Sequence, residues 1–239
     1  GDKMNYRKLL ISSIVVMTVL TSQANAKELQ AQVQRNTTTV PNIYSQQNVA
    51  PIKSISQPYP EIAKLIEYNH CDLADVKLKE MLEVKPNDIN LQALRAVSMA
   101  KQHKLEPAQF ELDKLLKKAP RNPILHYAQG YVYMQRQTAS DGDYIKTTRG
   151  LINSAIKEFV TAVNLDSKYY QAYNAMGVAT LKLGNKSDAL DLFNTSLKIN
   201  PGFANAHDNI GVVQMMNGDL NAAEKSFMSA MKYNTHNPT

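Results

Sequence analysis

Cysteine is almost missing from this chain: Cys71 is the only one in 239 residues. One thiol cannot build an intrachain disulfide framework, and it excludes a multi-cysteine zinc site. Tryptophan is absent, and nine glycines and ten prolines are too few for a collagen-like or proline-rich fibre. Long apolar runs are missing too. A membrane span needs about 20 apolar residues, and the longest mostly apolar run, Leu9 to Leu20, is much shorter. No Gly-rich phosphate cradle, G-x-S-x-G or H-E-x-x-H motif occurs. His70, His103, His126, His207 and His236 share no metal-ligand spacing. His70-Cys71-Asp72 is the one local cluster of nucleophile and base types, but such groups normally converge from separate elements. These absences describe a non-enzyme with no catalytic residue, no cofactor and no metal.

Charge is nearly balanced, with 27 Lys and Arg against 21 Asp and Glu, a net +6. Most of that excess sits early in the chain. Residues 1–26 carry Lys3, Arg7 and Lys8 against Asp2, and residues 27–58 carry Lys27, Arg35 and Lys53 against Glu28. A nucleic-acid binder concentrates cations on one face. Only Lys114, Lys117, Lys118 and Arg121 approach such a stripe, and a solvated helix end explains them. No nucleic-acid partner is expected.

The first 26 residues read as a secretory signal peptide, with residues 4–26 as the signal proper. Arg7 and Lys8 precede the short apolar run, and Ala24-Asn25-Ala26 supplies a small-x-small cleavage site. No cysteine follows the run, so lipidation there is excluded. The expected compartment is periplasmic or extracellular, with any membrane contact indirect. Residues 27–54 are rich in Gln, Asn, Thr and Ser without an apolar period, which predicts a flexible polar linker. Asn36-Thr37-Thr38 matches a glycosylation sequon, relevant only in a eukaryotic host.

Repetition dominates the remainder. Gly177 and Gly211, Ala189 and Ala223, and Phe193 and Phe227 are each 34 residues apart. Ala155 and Phe159 precede Ala189 and Phe193 by the same 34. Ala108 with Leu112 and Ala74 with Leu78 keep the spacing within a unit, and Pro86, Pro120 and Pro201 close three units. With these slots the chain resembles the tetratricopeptide-repeat family over residues 55 to 237. The resemblance implies an all-α, right-handed α-solenoid of about five helix-turn-helix repeats, at 55–88, 89–122, 123–169, 170–203 and 204–237. A single repeat cannot bury its own apolar face, so neighbours stack into one core. Small residues at Ala96, Gly130, Gly177 and Gly211 let the second helix approach the first. Gly184-Asn185 and Gly218-Asp219 mark turns, Ser187 and Asp219 are expected N-caps, and Pro107 suits a first helical turn.

Some features depart from the period. The first repeat has Ile62 where the small residue belongs, suggesting an N-terminal cap. Ser167 and Thr235 replace the closing proline of the third and fifth repeats. The third repeat is 47 residues long, with the extra length near Thr138 to Asp143 and extending over residues 138–148. Asp141 and Asp143 lack the further carboxylates of a calcium loop, so a plain loop or helix extension is expected. Asn237-Pro238 repeats the Asn122-Pro123 that opens the third repeat, with no capping helix after it. The expectation is a longer protein, continuing in further repeats or an enzymatic part beyond residue 239, or self-association through the uncapped last repeat.

In this family the first helix of each repeat lines a concave groove that takes a partner's peptide or helix. Carried over by position, the groove residues are Ala93, Val97, Tyr127, Tyr131, Asn174, Val178, Asp208 and Val212, with Gln171 and Asn205 at the rim. No Lys or Arg stands in the slots of the carboxylate-clamping subfamily. Tyr127 and Tyr131, one turn apart, are the expected anchors for an apolar partner, unless one of them packs inside. His126 and His207 share the slot of Tyr173, where a packing role is expected. The resemblance implies a protein-protein interaction scaffold or adaptor, with a recognition module of a larger protein as the alternative.

Overall fold

The computed structural model describes residues 58–136 and 144–234. The signal peptide and linker, the Thr138 to Asp143 segment, and Thr235, His236 and Asn237-Pro238 lie outside the described residues. Among those described, ten helices and no strand are present. They are α1 (Pro60–Glu67), α2 (Cys71–Val84), α3 (Ile89–Lys101), α4 (Leu105–Lys118), α5 (Pro123–Gln135), α6 (Tyr144–Leu165), α7 (Tyr170–Lys182), α8 (Lys186–Ile199), α9 (Ala204–Met216) and α10 (Leu220–Asn234). Consecutive helices pair, first helices pack on first helices of the next repeat, and the result is an α-solenoid of five helix-turn-helix units.

The close approach inside each unit follows from the small residue. A Cβ added at Gly130, Gly177 or Gly211 would stand 2.5, 2.5 or 2.7 Å from Cε1 of Phe159, Phe193 or Phe227. The glycine therefore makes the hole that the ring of the second helix fills. In the second repeat Ala96 and Leu112 occupy these two positions, both fully buried. In the first, Ile62 and Leu78 do so, at 2% and 1% exposure.

The turn within each unit also recurs. Asn69, His103, Gly184 and Gly218 occupy one slot and all have positive φ (64°, 60°, 92° and 88°). Only glycine takes that left-handed conformation without strain. The turn sets the next helix start, which corrects one expectation. In α8 the N–H of Asn185 bonds back to Thr180 O, so the helix begins at Lys186. Ser187 thus lies inside the first turn rather than at the cap. Asp219 does stand before α10, and its carbonyl accepts from Ala223 N at 2.9 Å.

Caps that composition did not single out begin α3 and α5. Asp88 accepts from the N–H groups of Asn90 and Leu91, and Asn122 from those of Ile124 and Leu125. Each satisfies two of the four donors that a helix start leaves open. The same slot before α7 and α9 holds Tyr169 and Phe203, buried to 5% and 2% exposure. There the repeat exchanges a polar cap for core packing. Part of the third repeat's extra length is helical: α6 has 22 residues, whereas α8 has 14.

Candidate functional site

The first helices bring one face of each repeat around a common cavity of about 180 Å³. Of the ten residues expected in the groove, Val97, Tyr127, Tyr131, Gln171, Asn174, Val178 and Asn205 line it. Ala93, Asp208 and Val212 do not. Ala93 is fully buried in the core, on α3, which packs against α5. Asp208 and Val212 belong to α9, farther along the same face.

The two tyrosines separate in role. Tyr127 is a core residue, 9% exposed, with its ring 5.9 Å from Phe159 and 5.2 Å from Tyr169. Tyr131 is half-buried at the cavity wall, its ring 6.1 Å from Tyr127. The spacing places both on one stripe, but the long second helix of their repeat and the entry to α7 cover Tyr127. Only Tyr131 offers a surface.

A row of residues at one slot completes the cavity. Glu67, Lys101, Gln135 and Lys182 stand at the same position of the first four repeats, in or beside the last turn of each first helix, and all four line it. The fifth repeat has Met216 there. Their identities differ, so no recurrent residue type betrays the row. The 34-residue slot itself was the available signal.

Glu67 reaches across the curve. Its Oε2 accepts from Tyr170 Oη at 3.0 Å and from Gln171 Nε2 at 3.4 Å, and its backbone O accepts from Asn205 Nδ2 at 3.4 Å. The first repeat thereby touches the fourth and fifth, and the concave face narrows to a pocket. Burial pushes the Glu67 carboxyl above its ordinary range, against the pull of the Tyr170 and Gln171 bonds and the Lys101 and Lys64 charges. Burial also holds the Lys101 ammonium below its ordinary range, with Cys71 and Glu67 opposing. Lys101 Nζ lies 5.6 Å from the Tyr131 ring centroid, a cation-π contact. Lys182 keeps a solvent-exposed side chain, yet the curved wall around it removes enough water to lower its pKa as well. Desolvation also raises the Asp208 carboxyl, although its side chain is exposed and lies outside the cavity lining.

Gln171 is 7% exposed, and its Oε1 has no hydrogen-bond partner among the described residues. A buried acceptor left unpaired costs about 1–3 kcal/mol. Its amide N–H donors are turned to Glu67, which fixes the oxygen on the opposite side of the amide group.

The remaining candidates fall into structural roles. His126 Nε2 bonds Pro120 O at 2.8 Å and Nδ1 bonds Glu158 Oε2 at 2.7 Å. Both partners accept when Glu158 is ionised, so the doubly protonated ring satisfies both of them. Burial disfavours that cation, but Glu158 and the Pro120 carbonyl together raise its pKa. His207 Nε2 bonds Pro201 O at 2.9 Å and stacks on Tyr233, and Gln92 makes the matching bond to Pro86 O. One slot thus ties the closing turn of three repeats. Cys71 is buried at 6% exposure, and burial raises its thiol pKa, so it is not presented for pairing. Lys114 lies over Phe110, 3.7 Å from the centroid, on an exposed helix surface. Among the described residues no group of three His, Cys, Asp or Glu side chains is placed to hold a metal, and no helix is long and apolar enough to cross a membrane.

No protein-family model matches the chain, and no curated protein sequence matches it. Its likeness is to solved structures. TTC0263, a thermophilic TPR protein of Thermus thermophilus, is 16% identical, with a TM-score of 0.62, over 75% of this chain and 91% of that one. Cut9, from the Cut9–Hcn1 hetero-tetramer of APC/C, is also 16% identical, with a TM-score of 0.58 over 76% of this chain and 32% of that chain. Human IFIT1, solved as a dimer with m7Gppp-AAAA, gives 19%, a TM-score of 0.56, and 72% and 40%. At such identities the likeness establishes the fold. The chain folds as a tetratricopeptide-repeat array.

Proposed function

We propose that this protein is a non-enzymatic scaffold or adaptor that holds a peptide segment of a partner protein in the concave pocket, working in an exported compartment. The pocket itself carries the reading. It gathers apolar walls (Val97, Tyr131, Met134, Val178) and a few polar groups from several repeats into one concavity. That mixture suits recognition of a polypeptide. The signal-peptide pattern at residues 4–26 supports export. Sequencing the N-terminus of the mature protein tests it, with Lys27 as the expected first residue.

Affinity capture with the full chain, from an envelope and extracellular extract, tests the adaptor reading beside Tyr131→Ala. Tyr131 is the suitable probe because Tyr127 is core, where truncation unfolds the repeat. The expected result is a specific polypeptide held by the wild type and depleted about tenfold by the variant. Equal capture by both proteins removes Tyr131 from the interface. No specific polypeptide with either protein ends the adaptor reading.

A further inference from the structure

The second helices α2 and α4 carry an apolar patch on the outer face of the first two repeats. Leu73 and Val76 on α2 are 54% and 57% exposed, and Phe110 on α4 is 63% exposed. Helix α3 lies between the two: its Ser98 and Gln102 donate to Asp75 of α2, and its Arg95 donates to Glu111 of α4. The 34-residue period aligns α2 with α4 slot by slot. Val76 shares its slot with Phe110, Glu80 with Lys114, and Glu83 with Lys117. At i, i+4 and i+7 the three members of each set lie along one stripe of their helix. All six side chains are exposed. The α2 half of the patch is therefore acidic and the α4 half basic, at the same height. Among the described residues none of these four charges has an opposite charge within ion-pair distance, and Lys114 lies over the Phe110 ring instead.

We infer that this outer face joins two copies of the chain about a two-fold axis running between α2 and α4, along their length. A rotation about that axis lays α2 of one copy on α4 of the other and keeps direction and height. Val76 of one copy then meets Phe110 of the other, and Glu80 and Glu83 stand opposite Lys114 and Lys117. The symmetry makes the contact twice. A surface whose two halves carry opposite charges in register is complementary to itself, which is why the occupant is a second copy. No later pair of outer helices has this pattern. The slots of Val76 and Glu83 hold Lys157 and Asn164 on α6, Asp191 and Lys198 on α8, and Lys225 and Lys232 on α10, so an apolar centre is lost there. Each of the two helices has 14 residues, a length of about 21 Å. Two helices side by side give a face of roughly 400–500 Å² per copy, below the standard interface, and a dissociation constant on the order of tens of micromolar. The pocket is built mainly on the first helices, so this dimer leaves both pockets uncovered and makes the protein bivalent. The inference stands apart from the adaptor reading, because it needs no occupant in either pocket.

Sedimentation velocity of the full chain, from about 1 to about 300 µM, tests it. The expected result is a mass that rises from one copy to two and no further. Glu80→Lys with Glu83→Lys, and separately Lys114→Glu with Lys117→Glu, set like charges across the axis and should each weaken the dimer about tenfold or more. Mixed together, the two variants should associate with each other, and a chain carrying all four reversals should dimerise again. Mixing separates the contact between copies from any effect of the charges inside one chain. Val76→Ser with Phe110→Ser should abolish association. All these sites are exposed, so helical content and melting should stay as in the wild type. A chain that stays a monomer, a dimer indifferent to the reversals, or reversed variants that fail to associate on mixing each overturn the inference. Open-ended assembly, as stacking through the last repeat would give, overturns it too. None of these outcomes bears on the capture experiment, which decides the adaptor reading independently.

Discussion

The glycine at the crossing of each helix pair allows a quantitative test, and Gly177 is the best site for it. A Cβ there would lie 2.5 Å from Cε1, 2.7 Å from Cδ1 and 3.1 Å from Cζ of Phe193. Carbon atoms in contact prefer about 3.5–4.0 Å, so the ring must move by about an ångström. Phe193 is fully buried and has nowhere to swing. Overpacking of this kind costs about 1–3 kcal/mol. Alanine returns about 1 kcal/mol of helix propensity. Gly177→Ala should therefore destabilise by about 1 kcal/mol, although the same change on an exposed helix stabilises. The second repeat shows the remedy, because Ala96 there faces Leu112 with both side chains fully buried. Phe193→Leu alone leaves a cavity and should cost about 1–2 kcal/mol. The double variant should recover about 1–2 kcal/mol relative to the sum of the singles, the coupling expected of residues in contact. Urea unfolding followed by circular dichroism measures the total. Hydrogen exchange of the α7 and α8 amides localises it, which matters because repeat arrays need not unfold in one step. Strict additivity, or a Gly177→Ala protein stabilised by the full propensity term, would refute the argument that the glycine is there for the ring.

Two other perturbations follow from the packing. His126 is held protonated by two acceptors, so its folded pKa lies above the ordinary value of about 6.5. Its contribution is fully present below that pH and is lost as pH rises through the raised folded pKa. The wild type should lose thermal stability as pH rises above about 6.5, and His126→Gln, which can keep the proline carbonyl bond as Gln92 does, should flatten the profile; a pH dependence unchanged in the variant contradicts the assignment. Gly218 has φ of 88° and no neighbour within 4 Å of an added Cβ, so Gly218→Ala isolates backbone strain and should cost about 1 kcal/mol. His103→Gly relieves the same strain in its own repeat and should stabilise by a few tenths of a kcal/mol, both read from chemical denaturation midpoints.

The core was legible because its residues recur. A Gly or Ala facing a Phe or Leu is a packing requirement that the second to fifth repeats meet, so Gly177 with Phe193 and Gly211 with Phe227 announce the crossing directly. The pocket was legible only in part. Helical spacing placed Tyr127 and Tyr131 on one stripe, but a stripe is wider than a groove. Whether a given member faces the cavity depends on what the next repeat lays over it, and Tyr169, which buries Tyr127, is 42 residues away. The contact of Glu67 with Tyr170 and Asn205 was beyond reach for a related reason. It depends on how far five repeats curve, a sum of small rotations that no single repeat records.

This division has a physical origin in the stack. Residues that hold one helix against its partner are constrained by the same geometry in each repeat, so from the second repeat on the slot of Gly177 holds only Gly or Ala and that of Phe193 only Phe or Leu. Residues toward the cavity are not bound by the helix-crossing geometry, and their identities differ from repeat to repeat. The slot of Tyr131 holds Ala63, Val97, Val178 and Val212 elsewhere, and that of Lys101 holds Glu67, Gln135, Lys182 and Met216. Substitution at the exposed Lys182 should therefore leave the solenoid intact, while substitution at Gly177 alters the solenoid first. The slots that line the concavity are those that fail to repeat, and for that reason a search for repetition finds the fold and passes over them.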